Sequence, residues 1–173
     1  MSLRALLGLV LIVCASSALA QETRGPGNRP KRPQICMNDA ELAAEAQMRA
    51  GIILRAFARN CASRGIDPSI LPKWGEFDAA NAEKLREAVR LREEAYARNY
   101  PDDAYAGQRM VDETLTSRGI THPSPQECGT IAEIVNGLAT WEDFVAHARL
   151  TQLGMVKQQI KRCKPRGAAG GGR

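Results

Sequence analysis

The chain has 173 residues and a formal net charge of +5, and its length allows one domain with a hydrophobic core. The positive charge lies at the two ends, because the span 36–156 carries 13 basic and 18 acidic residues, a net charge of −5. The folded body is therefore not basic overall. We expect no nucleic-acid partner, because the export signal described next directs the protein out of the cytoplasm.

The first twenty residues are predicted to form a signal peptide. Arg4 precedes the apolar run Ala5–Cys14, and Ala18 and Ala20 form the A-x-A pattern of a cleavage site. The run is too short to span a membrane, and no later stretch is apolar for long enough, so we expect no stable membrane insertion. We expect cleavage between Ala20 and Gln21.

The location expected for the mature protein is periplasmic or secreted. Cys14 follows Val13 rather than a small residue, so we do not expect lipidation of this cysteine. The abundance of Ala and Arg indicates a bacterium of high genomic GC content, which favours the periplasm.

Segment 21–35 contains Gly25, Pro26, Gly27, Pro30 and Pro33 among charged residues. Such a composition provides little apolar surface to bury, so the segment is predicted to be disordered.

The first predicted helix covers residues 38–64 and is expected to lie at the centre of the fold. Asn38 and Glu41 match a capping box, and Gly65 follows at a position where helices often end in a left-handed residue. Apolar residues recur at gaps of three and four, which indicates one buried stripe. This stripe consists of Leu42, Ala46, Ala50, Ile53, Phe57 and Cys61.

Residues 65–77 are predicted to form a loop that folds back on the helices, since Pro68 and Pro72 disfavour a helix there. Asp78 is the predicted N-cap of a second helix over residues 79–100, which ends before Pro101. Its charged pairs at helical spacing add modest stability.

A third helix is predicted over residues 103–118, capped by Asp102 or Asp103. Ser124, Pro125 and Glu127 then form the clearest helix start in the chain. The apolar stripe continues to Ile160 as one long helix that is kinked or broken near 137–140, where Thr140 and Asp143 can form a new cap.

The predicted fold class is therefore all-α, an up-down bundle of four to five helices over residues 36–164. Two disulfides are expected to link its ends. The Gly-rich tail 165–173 is predicted to be disordered, like the basic segment 21–35.

The mature chain has four cysteines, an even number that favours two disulfides in an exported protein. Cys36 and Cys61 flank one helix, roughly 37 Å apart at 1.5 Å per residue, which is too far for a bond. In an up-down order, Cys61 and Cys128 lie at one end and Cys36 and Cys163 at the other. We predict these two pairs and no metal site, since no C-x-x-C spacing occurs.

The candidate binding residues surround the turn between the second and third helices. Tyr96, Tyr100 and Tyr105 lie near Asp102 and Asp103, and tyrosines beside carboxylates are common in grooves that bind sugars or peptides. The same pattern also fits a capped turn with packed tyrosines.

No catalytic residues are assigned. The sequence contains no G-x-S-x-G, H-E-x-x-H or phosphate-loop motif, and its two histidines are His122 and His147. No cofactor is expected, because the C-x-x-C-H motif of c-type haem is absent. The alternative of a non-covalent haem would use His147 with Met48 or Met110.

The leading prediction is a non-enzymatic exported protein that binds a protein partner or an anionic cell-envelope polymer, because the basic ends can attract anions. One alternative is an enzyme that acts on cell-wall glycans through paired carboxylates. The candidates for that role are Asp39, Glu41, Glu45, Glu93, Glu94, Asp102 and Asp103.

Overall fold

The structure is a computed structural model that describes residues 35–117, 120 and 122–163. Most of these residues are helical. In chain order the elements are β1 (Cys36–Met37), α1 (Asp39–Ser63), α2 (Ile70–Ala80), α3 (Ala82–Asn99), α4 (Ala104–Ser117), α5 (Pro125–Gly137), α6 (Trp141–Ala148), a π-helical turn (Arg149–Leu153), α7 (Gly154–Gln159) and β2 (Lys161–Arg162).

The prediction of a mostly helical protein with two disulfides is confirmed. Cys36 bonds to Cys163 and Cys61 bonds to Cys128, which is the pairing expected from the sequence. The predicted signal peptide, the Gly-rich tail and all but the last residue of segment 21–35 lie outside the described residues. Among the described helices, none has both the length and the apolar character needed to cross a bilayer.

α1 contacts α2, α3, α4, α5 and α6 and is the helix around which the others pack. Its start has the predicted capping box between Asn38 and Glu41. At its end, Gly65 has a φ of 67°, and the N–H of Ile66 donates to the carbonyl of Cys61 at 3.1 Å. With the bond from the N–H of Gly65 to the carbonyl of Ala62 at 3.0 Å, this bond forms a Schellman motif, for which a glycine in the left-handed region is well suited.

The core forms two clusters along α1. The first surrounds an aromatic group in which Phe144 lies 5.6 Å from Phe77 and 6.0 Å from Trp74 between ring centroids. The second lies near the start of α1 and includes Met37, Leu42, Ala46, Ala95, Tyr96, Val156 and Ile160. The first cluster lies toward the end of α1 and the second toward its start, and one disulfide lies at each of these two ends.

The prediction of a loop over residues 65–77 is wrong, because α2 begins at Ile70. Pro72 is the third residue of α2, where its missing N–H leaves no intrahelical bond unmade. Ile70, Trp74 and Phe77 are buried at helical spacing, so the segment does fold back on the core, but as a helix. Asp78 lies inside α2 rather than at the start of α3.

The break predicted near residues 137–140 is present. α5 ends at Gly137, and Thr140 caps α6 by accepting from the N–H of Asp143 at 3.2 Å. The π-helical turn and the parallel pairing of β1 with β2 were not predicted. Ile35 was expected to be disordered, but its carbonyl accepts from the N–H of Lys161 at 3.0 Å.

α1 and α3 run in opposite directions, as their paired residues show. Glu41 meets Arg98, whereas Glu45, one turn further along α1, meets Arg92. α2 lies between these two helices in the chain, so their opposite directions do not test the connections expected between successive helices. The up-down order of the whole bundle stays a prediction.

Candidate functional site

The structure divides the predicted tyrosine–aspartate cluster. Tyr96 is completely buried, and its hydroxyl donates to Glu45 at 3.3 Å. Tyr100 is half-buried and stacks on Tyr96 with 6.1 Å between ring centroids. Both rings pack against Gly107 of α4. Tyr96 is therefore a core residue that no ligand reaches in this conformation.

The other members of that cluster lie on the surface. Asp102 and Asp103 are exposed, and Asp103 accepts from the N–H of Ala106 at 2.9 Å, which caps α4. Tyr105 is 67% exposed. The five residues thus do not line one shared groove.

A buried charge cluster, formed by Glu45, Arg49, Arg92 and Asp112, joins α1, α3 and α4. The carboxylate of Glu45 accepts from Arg49 and from Arg92, each at 2.7 Å. Arg92 also donates to both carboxylate oxygens of Asp112, at 2.5 and 3.2 Å. The cluster contains two cations and two anions, of which Asp112, at its edge, is 35% exposed, while the other three side chains are at most 5% exposed.

Burial lowers the pKa of Arg92, but its bonds to Asp112 and the charge of Glu45 outweigh burial and raise the pKa above its ordinary value. Burial is the main cause that raises the pKa of Tyr96, followed by the charge of Glu45. Both groups therefore keep their protons at neutral pH, and the cluster keeps a fixed hydrogen-bond pattern.

The buried charge cluster is suited to fixing the helices rather than to catalysis. Glu45 is fully buried, and each of its oxygens accepts a hydrogen bond from an arginine. A general acid or base must come within hydrogen-bond distance of its substrate. Glu45 cannot do so without the separation of α1 from α3.

Glu41 also forms an ion pair with a structural role. Both of its oxygens accept from Arg98, at 2.7 and 2.8 Å. The bond from Arg98 is the main cause that holds the pKa of Glu41 below its ordinary value, and the backbone N–H of Asn38 adds to it. This carboxylate caps α1 and ties it to α3.

An open cleft of about 320 Å³ lies between the first half of α1 and the chain from α6 to β2. We call it the basic cleft. Its apolar walls include Leu42, Ala46, Val145 and Leu153, and its cations are Arg149, Lys157 and Arg162. Asp39 is its only lining carboxylate among the described residues, and it pairs with Arg162.

The π-helical turn helps to place the cations of the basic cleft. In an α-helix, residues four apart are rotated by about 40° relative to each other, since 3.6 residues complete a turn. A π-helical turn holds more residues per turn, which offsets this rotation. Val145, Arg149, Leu153 and Lys157, spaced by four, therefore all line the basic cleft.

Two of the three cations have no acidic partner among the residues that the structure describes. No ion pair of Arg149 or Lys157 with a described carboxylate occurs within 4.0 Å. Positive charge on apolar walls makes a surface that can accept a carboxylate or phosphate group.

Lys157 and Arg162 belong to the positively charged C-terminal end, which begins after residue 156, whereas Arg149 was not singled out from the sequence. The repeated spacing of four from Val145 to Lys157 was the signal that could have placed them on one face. Arg92 was missed as well. It lies between Ala88 and Ala95 on the stripe of α3 that faces the core.

The described residues contain no group of three or more His, Cys, Asp or Glu side chains arranged to hold a metal ion. His147 is half-buried on α6, and burial lowers its pKa. Of the two methionines considered for haem, Met48 is half-buried on α1, and Met110 lies on α4 and is 50% exposed.

Comparison of the chain with protein-family models, with curated proteins and with solved structures gives no match.

Proposed function

We propose that this protein is an exported, non-enzymatic binding protein whose basic cleft holds acidic groups of a cell-envelope polymer. The observation that carries the proposal is the pair of unpartnered cations, Arg149 and Lys157, on the wall of that cleft. The span 36–156 has a net charge of −5, so the positive charge of the cleft contrasts with the net charge of most of the folded body.

A polymer fits this surface better than a single small anion. An exposed ion pair contributes only about 0.2–1 kcal/mol, so one carboxylate would bind weakly in an open cleft. A chain with repeated acidic groups can engage Arg149, Lys157 and Arg162 together, and linked contacts raise the overall affinity.

Export is supported by the apolar run and A-x-A pattern of the first twenty residues. The two disulfides support it too, since such bonds persist in oxidising compartments. We place the mature protein in the periplasm, where cell-wall polymers rich in carboxylates are accessible.

The enzyme alternative has less support. Of the carboxylates considered as an acid–base pair, Glu41 and Glu45 are buried and bonded to arginines, and Asp103 caps α4. Asp39 reaches the basic cleft but pairs with Arg162. A lone carboxylate beside a guanidinium is poorly suited to donate a proton, because the cation favours its ionised form.

A protein partner is the second candidate, and one observation favours it. Leu150, next to Arg149, is 85% exposed, and Met155 on the same helical run is 44% exposed. An acidic protein surface with an apolar centre could cover these residues together with the cations.

The test compares binding of the wild type and of R149E/K157E to purified peptidoglycan sacculi, by co-sedimentation, and to fluorescein-labelled poly-L-glutamate, by anisotropy. The matched control is R59E/K73E, which makes the same change in charge at exposed sites outside the cleft. We expect at least tenfold weaker binding for R149E/K157E, equivalent to about 1.4 kcal/mol.

The control variant should lose much less affinity, and binding by the wild type should weaken as salt rises. Equal losses in the two variants would show that only net charge matters. Binding of neither probe by the wild type, with capture of a discrete protein from periplasmic extract that requires Arg149, would favour the protein partner instead.

A further inference from the structure

The two disulfides differ in how well a reagent can reach them. Cys61 and Cys128 are both completely buried in the aromatic core cluster. Cys36 and Cys163 are only partly buried. Because thiol–disulfide exchange requires a thiolate to approach a sulfur atom, the Cys36–Cys163 bond is the accessible one.

The accessible disulfide holds β2 in place. β2 has two exposed residues and pairs with β1 over only two residue pairs, Cys36 with Lys161 and Met37 with Arg162. At the edges of this pairing, the N–H of Lys161 donates to Ile35 and the N–H of Cys163 donates to Met37, each at 3.0 Å. So short a pairing is marginal in water. Beyond the disulfide, the anchor next to β2 is the buried side chain of Ile160.

β1 is anchored independently of the disulfide. The backbone of Cys36 exchanges two hydrogen bonds with the side-chain amide of Asn99, at 2.9 and 3.0 Å. Met37 is completely buried, and Asn38 caps α1. Loss of the disulfide would therefore release the β2 side rather than the β1 side.

β2 also carries one of the cations of the basic cleft. Arg162 lines the cleft and pairs with Asp39 at the start of α1. Its neighbour in the chain is Cys163. The position of Arg162 thus depends on a short strand that the accessible disulfide holds.

We propose that the Cys36–Cys163 disulfide is a redox switch for the basic cleft, in which reduction frees β2 and withdraws Arg162 from the bound anion. The binding part of this proposal rests on the proposed function. The structural part, selective reduction followed by release of β2, does not.

The reductant is a dithiol. One of its thiolates attacks a sulfur of the disulfide to form a mixed disulfide, and its second thiolate then displaces the remaining cysteine. Two electrons and two protons pass to Cys36 and Cys163, which become thiols, while the dithiol becomes a disulfide. Oxidation of the two thiols by a disulfide reverses the switch.

The first test measures which bond is reduced. Folded mature protein is titrated with dithiothreitol, free thiols are alkylated, and the modified cysteines are identified by mass spectrometry. We expect modification of Cys36 and Cys163 at reductant concentrations that leave Cys61 and Cys128 unmodified. Reduction of the buried pair first, or of both pairs together, would overturn the proposal.

The second test measures what the reduction releases. Amide hydrogen exchange of the selectively reduced protein should rise at least tenfold at Lys161 and Cys163, with no comparable rise at Cys36 or Met37. Unchanged exchange at β2 would overturn the switch even if the protein binds anions.

The third test measures affinity for fluorescein-labelled poly-L-glutamate. Selective reduction should weaken binding by the wild type roughly fivefold, the effect of about 1 kcal/mol. Oxidised R162Q should bind as weakly as reduced wild type, and its affinity should not respond to reduction. A redox effect that persists in R162Q would overturn the role of this residue.

The two proposals fail in different ways. If oxidised wild type does not bind the probe, the proposed function fails, while alkylation and hydrogen exchange still decide the structural switch. If oxidised wild type binds but reduction changes nothing, the redox switch alone fails.

Discussion

The carboxylate of Glu45 and the guanidinium of Arg92 meet inside the fold, with 2.7 Å between Oε2 and Nε. The side chains are 0% and 5% exposed. The pair joins α1 to α3, and Arg92 extends the connection to Asp112 on α4. Because a buried charge without a partner is costly, this pair restricts how the three helices can slide past one another.

Replacement of Arg92 by Met should destabilise the protein by about 3–5 kcal/mol, the usual cost of removing one partner of a buried ion pair. Glu45 would keep its bond from Arg49 but lose the cation on its other oxygen. Urea unfolding followed by circular dichroism measures the free energy of unfolding.

The control for that measurement is R98M. Arg98 forms a similar pair with Glu41, but its side chain is 46% exposed, so water can replace it and the expected cost is about 1 kcal/mol. If R92M costs no more than R98M, the buried charge cluster does not restrict the helices as described.

Glu41 should make the free energy of unfolding depend on pH in the acidic range. The pKa of Glu41 is lower in the folded protein than its ordinary value, chiefly because of the bond from Arg98. The contribution of Glu41 to the free energy of unfolding is therefore present above the unfolded-state pKa, about 4.3. It is lost as pH falls through the pKa of Glu41 in the folded protein. E41Q should be less stable than the wild type at pH 7, and the difference should shrink below pH 4.

Thermal unfolding of both proteins at several pH values measures this effect. E83Q is a suitable control, because Glu83 is exposed and its nearest cation, Arg86, lies 3.9 Å away. A wild-type advantage over E41Q that stays constant down to pH 2 would contradict the assignment.

Tyr96 should produce a loss of stability at alkaline pH. Burial, and next the charge of Glu45, raise the pKa of its phenol. The contribution of Tyr96 to the free energy of unfolding is thus fully present below the unfolded-state pKa, about 10. It falls as pH rises above that value. Y96F should show a weaker alkaline loss, and it should cost about 1 kcal/mol at pH 7 for the missing bond to Glu45.

Denaturation midpoints at pH 8 and pH 11 separate these two effects. Tyr105 provides the control, because its ring is largely exposed, and Y105F should leave the midpoints unchanged. An identical alkaline loss in wild type and Y96F would mean that another group is responsible.

Gly107 should not tolerate a methyl group. A Cβ at this position would lie 2.9 Å from two ring carbons of Tyr100 and 3.0 Å from one of Tyr96. Because Tyr96 is fully buried, its ring cannot move away cheaply. G107A should therefore destabilise the protein by about 1–3 kcal/mol, the usual cost of overpacking.

G129A is the matched variant, since Gly129 lies in α5 and a Cβ there meets no atom within 4 Å. Helix propensity alone predicts a gain of up to about 1 kcal/mol. Chemical denaturation of the two variants should thus give changes of opposite sign. A stabilised G107A would show that the tyrosines repack freely.

The buried disulfide should contribute more than its loop closure alone. On the chain-entropy model, the separation of 67 residues between Cys61 and Cys128 corresponds to about 4 kcal/mol. Both sulfurs are buried in the aromatic core cluster, so C61A/C128A also leaves a cavity there.

We expect C61A/C128A to lose at least about 4 kcal/mol, measured as the free energy of unfolding in urea. Against a typical stability of about 5–15 kcal/mol, the variant should be close to unfolding. A change below 2 kcal/mol would show that helix packing suffices without this bond.

The sequence by itself determined the features that depend on neighbouring residues. The capping boxes at Asn38, Ser124 and Thr140 and the left-handed Gly65 each rest on local hydrogen bonds and backbone sterics. Helix length also excluded a bond between Cys36 and Cys61, and the expected up-down order then selected the pairing that the structure has.

Tertiary structure decided the features that depend on distant partners. Pro72 indicated a loop, but burial of Trp74 and Phe77 against Phe144 stabilises α2. Tyr96 resembled a binding residue until packing placed it beside Glu45 and Arg92. The basic cleft forms only where α1 meets the π-helical turn, and no single segment of sequence encodes which cations remain unpaired after the helices pack.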